Sequence, residues 1–262
     1  MTDFRVALTF DAEHPDRPAA DGNADRLLDE LDRLEARGSF FIQGRWAEAY
    51  PSTARRIVAA GHLVGSHSHY HVRLPLLSAD GLATDVADAE EALRQHAGID
   101  PRPWFRCPFG TGADDPVLVG RLAAIGYREV GWNVSGDDWE PANSAADVSR
   151  AVVDGVLEHG DGSVVLHHTW PDQTLAAIPD IVGRLKDAGA TFVGLDELPD
   201  LPGLRVEPQI VGDRCRPRFL RSTVATRRPM LPSWPPTEPC SQLSAARRRR
   251  TRRSATRRVS DG

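Results

Sequence analysis

The hydrophobic pattern changes period along the chain in a regular way. Residues 5–10 form an apolar run of strand length, and after a polar loop Leu27, Leu28, Leu31 and Leu34 fall at helical spacing. Gly38 reads as the stop of that helix, and Ser39, Phe40, Phe41 and Ile42 as a second strand. A helix ending at 57–61 and a strand at 62–66 follow. Next come a helix marked by Leu82, Val86, Ala89 and Leu93, a strand at 104–107, a helix at 117–125 and a strand at 128–134. The last third adds a helix around Val148, Val152 and Val156, a strand at 163–168, a helix with Leu175, Ile178, Val182 and Leu185, and a seventh strand at 191–195. Strands that alternate with helices predict an α/β protein with a parallel sheet, open or closed into a barrel.

The placement of unusual polar residues favours the barrel. Asp11, Glu13, His67, His71, Arg106, Asp138 and His168 all fall at or just after the C-terminal ends of strands, the rim on which barrel enzymes build their sites. One stretch concentrates this chemistry: an apolar run leads into His62, His67, His69 and His71. The spacing of His67 and His71 brings both rings to one side, and a metal held by two imidazoles needs at least one more ligand. The exit of the first strand supplies carboxylates at Asp11 and Glu13, with His14 as a second candidate ligand.

Composition narrows the class. With 262 residues, 40% of them hydrophobic, the chain can bury one sizeable core, and no apolar window reaches membrane-spanning length. The start shows no basic-then-apolar leader, and Cys107, Cys215 and Cys240 lie too far apart to suggest a disulfide framework, so the expectation is a cytoplasmic protein with no membrane partner. The net charge of −5 hides an asymmetry: residues 201–262 hold fifteen arginines against four acids. That segment is expected to be a disordered tail outside a domain at 1–200. It lacks lysine and an interleaved aromatic platform, which argues against nucleic acid as a partner.

In order, the motifs Thr9-Phe10-Asp11, Phe40-Phe41-Ile42-Gln43-Gly44, His67-Ser68-x-x-His71, Phe105-Arg106-x-Pro108-Phe109-Gly110, Asp138-Trp139 and Leu166-x-His168 resemble the polysaccharide deacetylase, or NodB-homology, family of carbohydrate esterases. The resemblance covers about residues 4–200. It implies a distorted (β/α)7 barrel that hydrolyses an N-acyl group, acetyl foremost, from an amino sugar, oligosaccharide or related amide. It further implies a divalent transition metal, zinc first, with cobalt, manganese and nickel open. By this likeness His67 and His71 are metal ligands, Asp11 the general base and Arg106 the group that holds it. Asp138 orients His168, the general acid, which strand alternation with Leu166 favours over His167. Trp139 and Leu166 wall the acyl pocket, and the backbone N–H of Phe109 faces the developing oxyanion.

One departure bears on the metal. The family's usual second Asp, a metal ligand directly after the first, is Ala12 here, and Ala cannot bind metal. Some members place that ligand one residue later, where this chain has Glu13. Ala12 therefore keeps two alternatives in view: a metal-independent, allantoinase-like amidohydrolase of the same superfamily, and a carbohydrate-binding pseudoenzyme.

Overall fold

The computed structural model describes residues 3–16 and 22–198, so the expected tail at 201–262 lies outside the described residues. Strand β1 (Phe4–Ala12) is the centre of the sheet. Its residues from Val6 to Ala12 are buried without interruption, as in a parallel strand covered on both faces. Helix α1 (Asn23–Arg33) leads to β2 (Gly38–Ile42), the short helices α2 (Gly44–Ala49) and α3 (Pro51–Ala59), and β3 (Leu63–Ser66). Then come α4 (Ala79–His96), β4 (Trp104–Phe105), α5 (Pro116–Ala124), β5 (Arg128–Glu129) and β6 (Val134–Ser135). The chain continues through α6 (Ala145–His159), β7 (Ser163–His168), α7 (Asp172–Asp187) and β8 (Ala190–Phe192). All pairings are parallel, in the order β5-β4-β3-β2-β1-β7-β6, with β8 against the start of β1.

Alternation along the strands separates two cores. Val6, Leu8, Phe10 and Ala12 join Val165 under the helices, packed with Leu27, Leu31, Val152 and Ile181. Ala7 faces the opposite way and meets Phe41, Trp132, Val164 and Leu166 in the barrel interior. Thr9 and Asp11 share that inward face with Ala7, so a carboxylate is delivered to the barrel mouth by strand geometry alone.

Four expectations change. The strand expected at 128–134 is two strands: Val130 N–H still donates to Phe105 O at 2.8 Å, but Asn133 N–H donates to Val164 O at 3.1 Å. Residues 130–133 thus carry the chain from one edge of the ladder to the other, which distorts the barrel and leaves its seam there. The helix expected to end at 57–61 is broken where Tyr50 precedes Pro51, because the residue before a proline is driven out of the helical region. The stop of α1 is Glu35, in a left-handed conformation at φ 49°, whereas Gly38 begins β2, where a Cβ would meet the Phe10 ring at 3.0 Å. The last strand ends at Phe192 rather than 195, since Leu195–Glu197 closes into a 3-10 turn.

Arg106 fills the seam. It is 0% exposed, and its donors are distributed over Val130 O (3.1 Å), Gly131 O (3.0 Å), Thr9 Oγ1 (2.8 Å) and Asp11 Oδ1 (2.9 Å). The guanidinium also lies 4.1 Å over the Phe41 ring. Gly65 lets that ring approach β3, because a Cβ there would stand 2.8 Å from it. Removing one partner of a buried ion pair leaves the other charge uncompensated, at about 3–5 kcal/mol. Arg106→Met is expected to lose stability of that order in denaturant unfolding, and a loss below about 1 kcal/mol would contradict this role.

Candidate metal and catalytic site

At the C-terminal mouth of the barrel lies an open cavity of about 360 Å³ lined by Asp11, Glu13, His14, His71, Arg73, Phe109, Trp132, Trp139, Leu166, His168 and Trp170. Most of the residues expected for a site converge here. His67, Arg106 and Asp138 stand behind its wall, each in contact with a lining residue.

The loop after β3 positions the histidines. Ser68 and His71 adopt left-handed φ values of 65° and 54°, His71 N–H donates to Ser68 Oγ at 3.1 Å, and Asp85 on α4 accepts from the N–H groups of His69 and Tyr70 at 3.2 and 3.1 Å. Among the described residues six non-glycines have positive φ. Five of them, His14, Ser68, His71, Phe109 and Asp137, sit in the loops at this mouth. Such conformations cost of order 1–3 kcal/mol each and persist where surrounding contacts over-determine them.

Glu13 meets both histidines. Its Oε2 lies 3.3 Å from His67 Nε2 and in closer contact with His71 Nε2. His67 Nδ1–H donates to Arg106 O at 2.9 Å, which leaves Nε2 as the inward-facing nitrogen, 3.5 Å from Asp11 Oδ2. Three ligand atoms from Glu13, His67 and His71 therefore lie within 4.8 Å of one another. A carboxylate and two imidazoles packed this closely call for positive charge between them, and a divalent metal meets that call. The titration behaviour expresses the same demand. Burial opposes charge on Glu13, yet hydrogen bonds with His67 and His71 hold its carboxyl well below the usual range. Burial likewise opposes a proton on His67, but Asp11 and Glu13 outweigh it and raise that imidazole.

Ala12 points away from this site. Its side chain belongs to the core under the helices, while Glu13, one residue on, turns into the cavity. The other Glu13 oxygen is held from behind: Trp170 Nε1–H donates to Oε1 at 3.4 Å, and His14 Nε2 lies 3.3 Å from it. His14 itself is fixed by its N–H donating to Gln43 Oε1 at 2.8 Å.

On β7, alternation sends Leu166 and His168 inward and His167 outward, where it stacks on Phe10. His168 Nδ1–H donates to Asp138 Oδ1 at 2.7 Å, and its backbone N–H to Oδ2 at 2.7 Å. Thr174 Oγ1–H also donates to Asp138. Burial disfavours charge on both histidines. The direct Asp138 partner overcomes it for His168, raised to about 9, whereas His167, 3.8 Å from that carboxylate, is lowered to about 4. Phe109, at φ 59°, sets its ring edge-on to His71 with the centroids 4.4 Å apart.

Several site residues were not legible in the sequence. Trp170 lies two residues beyond His168, and its inward position was not readable from strand alternation once β7 ended. Asp85 did leave a signal, a carboxylate on the buried stripe of α4 beside Leu82, Val86 and Ala89. Arg73 and Thr174 carried none. Conversely, His62 and His69 stay outside: His62 Nδ1 accepts from Gly38 N–H at 3.1 Å, and His69 packs against Gly44.

Comparison with known proteins adds an independent line. The polysaccharide deacetylase family model matches residues 1–130, which hold Asp11, Glu13, His67, His71 and Arg106. A peptidoglycan-N-acetylglucosamine deacetylase of Bacillus cereus is 30% identical over 201 residues, spanning 74% of this chain and 67% of its own. A chitin deacetylase of Colletotrichum lindemuthianum is 31% identical over 212 residues, 75% of this chain and 80% of its own. Among solved structures, a family 4 carbohydrate esterase from Streptomyces lividans in complex with acetate superposes with a TM-score of 0.63 at 32% identity, covering 72% of this chain and 91% of that one.

Outer partners that orient a ligand typically contribute about 10- to 100-fold to metal affinity. Trp170→Phe and His14→Ala are each expected to weaken metal binding by that order, measured by competition with a chromophoric chelator, with the unfolding midpoint unchanged. Affinity unchanged in both variants would contradict the hold on Oε1.

Proposed function

We propose, since the chain belongs to the polysaccharide deacetylase family and is accordingly a hydrolase of linear amides, that it removes an N-acetyl group from an amino sugar or oligosaccharide with the help of a divalent metal held by Glu13, His67 and His71. The observation that carries this reading is the meeting of the Glu13 carboxylate with both imidazoles despite Ala12. A bound metal, zinc first, with cobalt, manganese and nickel suiting the same nitrogen and oxygen donors, lowers the pKa of water and polarises the amide carbonyl.

The protein's own residues then divide the proton traffic. Asp11 presents Oδ2 to the cavity while Arg106 pins Oδ1, which suits it to take the proton of the attacking water. Phe109, in a left-handed turn that lines the cavity, is our choice of oxyanion donor through its backbone N–H. His168, whose proton Asp138 favours, lines the same cavity on the strand beside Asp11 and donates to the departing nitrogen. Trp139 and Leu166 enclose the acyl methyl, and the remaining aromatic walls, Trp132 and Trp170, suit the apolar faces of a pyranose. What favours this reading over the pseudoenzyme alternative is that Glu13 offers a carboxylate to both imidazoles where Ala12 offers none.

Asp11→Asn is expected to lower acetate release from N-acetylated chito-oligosaccharides about 10²- to 10⁴-fold in a folded protein, and full activity in that variant would overturn the reading. The pH profile gives a second check. His168 keeps its proton up to about 9, so activity falls as pH rises through that value. Asp138→Asn removes the carboxylate that raises it, and the alkaline limb is expected to move down toward the ordinary imidazole value of about 6.5. A limb that stays near 9 would exclude His168 as the acid.

A further inference from the structure

Charges around the cavity are matched in pairs, with one exception. Asp11 faces Arg106 at 2.9 Å, Asp138 faces His168 at 2.7 Å, and Glu13 faces His67 and His71. Arg73 also lines the cavity, half-buried, but its partners are neutral: Nη1–H donates to Thr111 Oγ1 at 2.8 Å, and the guanidinium lies 4.5 Å over the Phe109 ring. No carboxylate pairs with it among the described residues. The same Phe109 ring touches His71 on another side at 4.4 Å, so Arg73 stands one aromatic ring away from the metal ligands.

The backbone fixes this position. Arg73 follows His71 by two residues and directly precedes the 3-10 turn Leu74–Leu76, whose Leu74 is buried in the core around α4 and α5. A guanidinium stacked on an aromatic face and bonded through one nitrogen keeps its other donors in a planar fork. That fork matches the two oxygens of a carboxylate or the edge of a phosphate. Lysine, a hydrated point charge, would not offer that geometry.

We propose that Arg73 is a specificity-determining residue that selects N-acylated sugars bearing an anionic substituent, a carboxylate or phosphate close to the acylamino group. This rests on the amide-hydrolase reading of the cavity and adds the substrate's charge to it. A hydrogen bond to a charged group contributes enough to change affinity by about tenfold or more.

The test compares three matched probes, N-acetylglucosamine, N-acetylmuramic acid and N-acetylglucosamine 6-phosphate, on the full chain. Binding is followed by calorimetry and acetate release by assay, for the wild type, Arg73→Gln and Arg73→Lys. At least one anionic probe is expected to bind about tenfold or more tightly than the neutral one at low salt. Arg73→Gln should bring that ratio near one, and Arg73→Lys should restore only part of it. The carboxylate and phosphate arms identify which anion the site prefers. Equal binding of all three probes, no measurable binding of any, or a preference that survives Arg73→Gln would overturn the proposal. Anion-selective binding without acetate release would keep it and overturn the hydrolase reading instead.

Discussion

A fully buried guanidinium is the constraint around which this barrel is assembled. Arg106 cannot reach water, so every donor it uses must find an acceptor inside the protein, and it finds them on two separate segments. Thr9 and Asp11 belong to the central strand, whereas Val130 and Gly131 belong to the segment that crosses the seam. The charge that closes the barrel where the ladder fails is therefore the same charge that orients Asp11 at the mouth. Its own carbonyl does further work, since it fixes the tautomer of His67. Fold and site share one residue, and neither is arranged without the other.

The second constraint is the convergence of ligand atoms. Glu13, His67 and His71 bring theirs within 4.8 Å of one another, and the loops that carry them hold left-handed residues. A glutamate reaches one methylene further than an aspartate and has more freedom to miss. Here Trp170 and His14 take up one of its oxygens, which directs the other toward the histidines. Asp138 sets two neighbouring histidines apart: its direct bond, with Glu13 and Asp11 behind it, favours a proton on His168, while burial opposes one on His167.

What could be read from the chain followed from local periodicity. Alternation with Leu166 chose His168 over His167, and strand-end placement gathered Asp11, Glu13, His67, His71, Arg106 and Asp138. Features set by distant contacts were not readable. The partner exchange that splits the strand at 128–134 depends on where β4 and β7 end. The roles of Trp170, Arg73 and Thr174 arise in loops, where no periodicity ties sequence to direction. Gly38 misled because glycine both stops helices and admits a close ring, and only the packing of Phe10 distinguishes the two uses.

The central claim is that Glu13 completes a metal site on which amide hydrolysis depends. Acetate release from an N-acetylated chito-oligosaccharide by the chelated protein, before and after metal is returned, addresses it most directly when Glu13→Ala is carried alongside. The account requires that chelation abolish release, that zinc or a related divalent metal restore it in the wild type, and that no metal restore it in Glu13→Ala. Release that persists in the fully chelated wild type, or returns equally in Glu13→Ala, would contradict it.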